Sequence, residues 1–292
     1  MSAYAWVDGA VVPREDARIS IDDFAVRYGA ACFETMLARS GRVFRLDAHL
    51  DRLEQGLGGM RVAAPPRDLL RDAVTRTLEA NALTDASVRL TVTAGSGHVP
   101  SLSAASAPSI IVTADVLPAS RPAPPRLRVV ATRVDAQRAL AGAKTAQFVP
   151  YLLARAEARG AGADDAALLN HDGALVEAAT ANLFLVRGDT IETPTLADGP
   201  LPGVTRDALI EVARGLGVSV VERTLRLADV VLAEAIVLTS SIAGLVPAAT
   251  FTARQPEAPG NLDWHAREPA PALVALLADG YEALLRYELA GA

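Results

Sequence analysis

Apolar and polar residues alternate along the first stretch of the chain as in strands that bury one face, and two turn-forming pairs interrupt the alternation. Asp8-Gly9 favours the left-handed backbone of a type I′ hairpin, and Ser40-Gly41 repeats the signal between runs at 32–38 and 42–46. The period then becomes helical: Leu50, Leu53 and Leu57 fall on one face of a segment that Asp47 is expected to cap. Pro65-Pro66 predict the opening of a second helix, with Leu69, Leu70, Val74 and Leu78 turned inward. Alternation returns at 88–93 and 109–113, on either side of the small polar loop Gly95-Ser96-Gly97-His98. This mixture of sheet and helix predicts an α+β (α/β) fold.

At 292 residues the chain exceeds what one core usually organises, and the proline-rich, aperiodic run after Leu117 reads as a linker. The expected division is a domain over 1–117, a linker over 118–125 and a second domain over 126–292. Beyond the linker the pattern predicts strands at 127–132, 182–186, 218–221 and 235–238, and a hairpin turning at Asp172-Gly173 between 166–169 and 174–177. Helices are expected at 150–159, at 206–216 where Gly217 ends the helix, and over the amphipathic tail 271–289.

Composition narrows the function. A net charge of −6 without a basic patch repels nucleic acid and anionic membranes, so neither is an expected partner. No apolar run reaches membrane-spanning length, and the N-terminus lacks the basic and apolar regions of a secretory signal, which makes the cytoplasm the expected location. The lone cysteine, Cys32, rules out a disulfide within the chain and a multi-thiolate metal site, and His49, His98, His171 and His265 are scattered without ligand spacing. No metal is expected.

Of the 28 basic residues only Lys144 is lysine, a bias that a GC-rich genome produces by using arginine wherever it serves. Arginine supplies charge and hydrogen bonds as well as lysine does, but its guanidinium cannot form an imine with an aldehyde. Lys144 sits among small uncharged neighbours, Ala141-Gly142-Ala143 and Thr145-Ala146, unlike an ordinary solvated face. It is a candidate for Schiff-base chemistry with pyridoxal phosphate, set against a leftover surface lysine.

Such a site needs a phosphate cup, a partner for the pyridine nitrogen and an apolar ring contact. Leu201-Pro202-Gly203-Val204-Thr205-Arg206 leads into a helix whose first N–H groups, at Val204 and Thr205, suit an anion, though an ordinary threonine cap gives the same pattern. Thr239-Ser240-Ser241 ends a strand in a turn that forms either an anion nest or a plain exposed corner. Arg52, one turn after His49, has the bidentate fork for phosphate or is a solvated helix residue. Glu177, at a strand end, is the candidate for the pyridine nitrogen or merely a solvent-facing carboxylate.

In order and spacing, Gly29-Ala30-Ala31-Cys32-Phe33-Glu34-Thr35, His49-Leu50-Asp51-Arg52-Leu53, Lys144, Leu175-Val176-Glu177, Ala181-Asn182-Leu183-Phe184, 201–206, 238–241 and Val246-Pro247 resemble the fold-type IV pyridoxal-phosphate enzymes. That family includes branched-chain and D-amino-acid aminotransferases and 4-amino-4-deoxychorismate lyases, and the resemblance spans nearly the whole chain. It implies an N-terminal α/β sandwich, a C-terminal pseudo-barrel and a homodimer with a shared active site. It also implies Lys144 as the Schiff-base lysine, Glu177 on the pyridine nitrogen, Leu201 against the ring, and Arg52, Val204, Thr205, Ser240 and Ser241 around the phosphate.

The expected reaction is transfer of an amino group between an amino acid and a 2-oxo acid, with elimination of pyruvate from aminodeoxychorismate as the alternative and a carrier without turnover as the third reading. Many relatives have arginine where this chain has Ala94, and lyases and D-amino-acid enzymes carry another in the loop that here reads Ser96-Gly97-His98-Val99-Pro100-Ser101. Arg27, Arg89 or Arg133 are the candidates to replace them as carboxylate ligands. Loss of the loop arginine disfavours a dicarboxylate, and D-amino acids are the expected substrates.

Overall fold

The computed structural model describes residues 3–290 apart from Pro100, Ser103, Ala104, Ser106 and Pro269. The chain divides into two compact units, and it crosses between them more than once. The first holds the chain up to Ala119, the short segment Ala143–Gln147 and the last described turn from Tyr287; the second holds Ser120–Gly142 and Phe148–Arg286.

The first unit is a six-stranded sheet with helices. Strands β1 (Tyr4–Val7) and β2 (Ala10–Pro13) form the first hairpin, with Asp8 and Gly9 at φ 47° and 101°, the left-handed pair its turn requires. After the one-turn helix α1 (Phe24–Tyr28) come β3 (Ala31–Arg39), β4 (Arg42–Val43), helices α2 (Leu46–Gly59) and α3 (Arg67–Ala80), and strands β5 (Ala86–Thr93) and β6 (Ile110–Val116). The sheet order is β2-β1-β6-β5-β3-β4, antiparallel throughout.

Side chains alternate across β3, so Cys32, Glu34 and Met36 share the face covered by α2 while Phe33 and Thr35 share the other. Helix and strand approach closely at Gly56, where an added Cβ would lie 2.7 Å from Cys32 Sγ. Two expectations are corrected here. Asp47 lies within the first turn of α2 and Arg45, in left-handed conformation, is the cap; Asp47 contributes only its charge to the helix start. Leu69 is 37% exposed, because the buried stripe of α3 runs through Leu70, Ala73, Val74, Thr77 and Leu78.

The second unit stacks two five-stranded sheets. Its elements are β7 (Arg126–Val134), α4 (Val149–Gly160), β8 (Asp165–Asn170), β9 (Leu175–Ala178), β10 (Asn182–Arg187), β11 (Thr190–Pro194), α5 (Val204–Gly215), β12 (Ser219–Arg223), α6 (Leu227–Val231), β13 (Ala235–Ser240), β14 (Gly244–Pro247), β15 (Thr250–Ala253), β16 (Leu262–His265) and α7 (Ala272–Ala290). The sheets run β16-β15-β7-β8-β9 and β12-β11-β10-β13-β14.

Both faces of β8, β10 and β13 are buried, which explains their nearly unbroken apolar sequences. Inner residues of the two sheets, among them Leu127, Val129, Leu183, Leu185, Ile236, Leu238 and Phe251, interdigitate in one core. On the outer faces, α4 covers Val130 and Leu168, while α5 and α7 cover Phe184, Val186 and Val237. Helix α5 begins at Val204, two residues before the expected start, which puts Val204 and Thr205 inside its first turn. Among the described residues, no helix is long and apolar enough to cross a membrane.

Candidate active site

In the first unit, the segment carrying Lys144 adds itself to the edge of β3. The Phe33 N–H donates to the Lys144 carbonyl at 2.9 Å and the Ala146 N–H donates to the Ala31 carbonyl at 2.8 Å, with Cys32 and Thr145 as bridge partners. This register puts the Lys144 side chain on the Phe33 face of the sheet. Lys144 Nζ lies 4.8 Å from the centroid of the Phe33 ring, and the Arg89 guanidinium lies 3.8 Å from the same centroid, a cation–π arrangement. Arg89, from β5, has no carboxylate partner among the described residues, and burial alone pulls its guanidinium below the ordinary value.

On the opposite face of β3 lies a buried ionic cluster. Arg52 donates to Glu34 through Nε at 2.9 Å and through its terminal nitrogen at 2.5 Å, and His49 Nδ1 is 2.7 Å from Glu34 Oε2. Burial, together with the charges of Arg52 and Lys144, pulls the imidazole below its ordinary value of 6.5 and outweighs the opposing pull of Glu34. His49 is therefore neutral and donates through Nδ1–H. Burial pushes the Glu34 carboxyl up, but hydrogen bonds from His49 and Arg52 and the Arg52 charge outweigh it and hold Glu34 below the usual carboxylate range. The Arg52 fork expected on a phosphate is thus engaged by Glu34. Burial pushes the Cys32 thiol up to about 12, so it packs and does not react.

The second unit contains the other candidates. Glu177, on β9, is 5% exposed, contrary to a solvent-facing strand end. Its Oε2 accepts from the Leu201 N–H at 3.0 Å and from Asn182 Nδ2 at 3.4 Å, and its Oε1 accepts from the Tyr151 hydroxyl at 3.3 Å. Asn182 also donates to the Leu201 carbonyl at 2.8 Å, so one amide fixes both Glu177 and the approach to α5.

At the start of α5 the cap residue is Gly203, with no side-chain cap. A Cβ there would lie 2.0 Å from Asn182 Oδ1, so the chain passes where only glycine fits. Val204 and Thr205 are buried in this first turn. Thr239 pairs with Asn182 across β10 and β13, and its buried hydroxyl has no hydrogen-bond partner among the described residues. Ser240 ends β13 and Ser241 begins the turn that follows.

The remaining arginine candidates differ in what occupies them. Arg27 lies in the last turn of α1 and donates to the Gly97 carbonyl at 2.7 Å. Arg133 is spent on carbonyls: a register shift in β7 between Val129 and Arg133 releases the carbonyls of Val130, Ala131 and Thr132, and its guanidinium takes these and that of Glu257. The roles of Asn182, Tyr151 and Glu34 in holding their neighbours were not foreseen in the sequence. The spacing of Asn182 five residues after Glu177 was the one available signal.

A family model described as amino-transferase class IV matches residues 31–251. A putative branched-chain-amino-acid aminotransferase of Methanocaldococcus jannaschii is 32% identical, over 83% of this chain and 85% of its own. An aminodeoxychorismate lyase of Vibrio harveyi is 28% identical, over 85% of this chain and 91% of its own. Among solved structures, the T.th. branched-chain amino acid aminotransferase complexed with N-(5′-phosphopyridoxyl)-L-glutamate superposes with a TM-score of 0.85 at 25% identity, covering 99% of this chain and 95% of that one.

Proposed function

Since the chain belongs to the class IV aminotransferases, we propose that it transfers amino groups between branched-chain aliphatic L-amino acids and 2-oxo acids. It is a pyridoxal-phosphate enzyme of the fold-type IV architecture. When bound, that cofactor supplies an aldehyde for an amine and a pyridine ring that withdraws electrons. The second unit fits such a group: the uncapped start of α5, the unpartnered Thr239 hydroxyl and the Gly203 passage suit a phosphate, and the buried Glu177 carboxylate suits a protonated ring nitrogen.

On this reading Lys144 Nζ holds the aldehyde and carries the substrate α-proton. Val204 and Thr205 bind phosphate through backbone N–H groups, with Ser240 and Ser241 completing its coordination. Leu201 orients the ring, and its backbone also orients Glu177. Arg89 is the arginine best placed to take a carboxylate, because it shares the Phe33 face with Lys144 and no acid among the described residues neutralises it.

The observation that carries the substrate reading is Ala94. It is 2% exposed and packs with Phe24 and Ala30, so the position is filled by core and offers no clamp for a second carboxylate. An apolar substrate side chain agrees with this and with the branched-chain relative. The D-amino-acid preference expected from the sequence is carried by none of the relatives named above, and the lyase reading needs a dicarboxylate that Ala94 does not serve.

The test is to mix holoenzyme with separate L- and D-amino acids, follow the cofactor spectrum and detect 2-oxo acids by mass spectrometry. L-Leucine, L-isoleucine and L-valine should react first. Formation of 4-aminobenzoate from aminodeoxychorismate, with silence towards every amino acid, would overturn the transaminase reading. We include a homodimer in the proposal, supported by an exposed apolar stripe on α4 formed by Val149, Leu152 and Leu153; sedimentation velocity reads it directly.

A further inference from the structure

Glu177 is held from two sides by groups of different origin. Backbone and amide donors of Leu201 and Asn182 engage Oε2, at 3.0 and 3.4 Å, and a phenol, that of Tyr151, engages Oε1 at 3.3 Å. Leu201 and Asn182 anchor one oxygen of the carboxylate, and Tyr151 engages the other. The phenol fixes the carboxylate plane, and with it the direction in which the remaining lone pairs point.

Tyr151 is itself firmly placed. It lies in the first turn of α4, its N–H donates to the Phe148 carbonyl at 3.1 Å, and its ring packs on the buried cluster of Val130, Val134, Ala154, Leu168 and Val176. The Phe148 ring stacks on it, with centroids 5.0 Å apart and planes 12° apart. Burial first, then the Glu177 charge, push the phenol well above its ordinary range, against a smaller opposite pull from Arg138. The hydroxyl therefore keeps its proton and can only be the donor in this pair.

Resting on the function proposed above, we propose that Tyr151 is a positioning residue: it locks the Glu177 carboxylate in the orientation that serves the cofactor's ring nitrogen. A neutral donor suits this task because it steadies a carboxylate without cancelling its charge. Asn182 and Leu201 fix where the carboxylate sits; Tyr151 fixes how it is turned.

The experiment compares wild type, Tyr151→Phe and Phe148→Leu as holoproteins reconstituted with ¹⁵N-labelled pyridoxal phosphate. A hydrogen bond to a charged group is commonly worth about tenfold or more in an equilibrium. Tyr151→Phe should therefore weaken cofactor binding roughly tenfold, move the ring-nitrogen resonance and shift the pH profile of kcat, with KM for the amino acid unchanged. Phe148→Leu, which keeps the hydroxyl, should leave the nitrogen resonance where it is.

A second reading needs no change at Tyr151. In the wild-type chain labelled with 3-fluorotyrosine, one of the five tyrosine resonances should move on Glu177→Gln. Wild-type values in Tyr151→Phe for affinity, resonance and pH profile, or five unmoved tyrosine signals on Glu177→Gln, would overturn the proposal. A wild-type protein that binds no pyridoxal phosphate would instead overturn the function on which it rests.

Discussion

The two buried glutamates, Glu34 and Glu177, face the same physical problem and solve it in opposite ways. Glu34 receives a guanidinium and an imidazole, so a full positive charge is set against it. Glu177 accepts from a backbone N–H, an amide and a phenol, three neutral donors. Neutral donors make a carboxylate tolerable in the interior while its charge persists, whereas an ion pair consumes that charge locally. The first arrangement welds β3 to α2; the second holds its carboxylate within one unit through donors that carry no charge. In a sequence both are simply strand glutamates, and the kind of donor around each separates architecture from chemistry.

Isosteric replacement is the sharpest way to break this contrast. Glu177→Gln should lower kcat by about 10²-fold or more, in the range of lost proton-handling groups, with unfolding free energy within about 1 kcal/mol of wild type. Steady-state kinetics and denaturant melts read the two quantities. Glu34→Ala should do the reverse to stability, leaving Arg52 buried without its counter-charge at a cost of about 3–5 kcal/mol. Chemical denaturation checks it, and equal losses of stability in both variants would erase the distinction.

Acid gives the smallest and most selective effect. His49 is held below its ordinary 6.5, so the fold favours the neutral ring and loses stability as pH falls through and below 6.5. Glu34 is held below its ordinary 4.5, so its contribution is complete above that value and is lost as pH falls towards its lower folded value. Each group steepens the decline by at most about 1.4 kcal/mol per pH unit. Melts of wild type and His49→Gln between about pH 8 and about pH 4 should differ only in the upper limb, since glutamine donates without titrating.

Much of this was legible along the chain because it depends on neighbours in sequence. The hairpin at Asp8-Gly9, the Leu50-Leu53-Leu57 stripe of α2 and the apolar strands of the second unit are local patterns, and they form as the periods predict. The four-residue strands β14, β15 and β16 were missed, being too short to establish a period. What encloses Arg133 depends on a register shift, and what Tyr151 touches depends on which face of α4 turns inward. Pairing of the Lys144 segment with β3 rests on backbone hydrogen bonds, which leave no mark in side-chain periodicity.

That pairing has a consequence unrelated to chemistry. β3 is nearly buried along its nine residues; β4 covers its edge only at Ala38 and Arg39, and the Lys144 segment covers it at 31–33. An open edge on so apolar a strand is a template for β-pairing with other chains, the usual seed of aggregation. The one lysine of the sequence therefore rides on the piece of chain that seals the sheet against self-association. Damage to this segment threatens solubility as well as turnover.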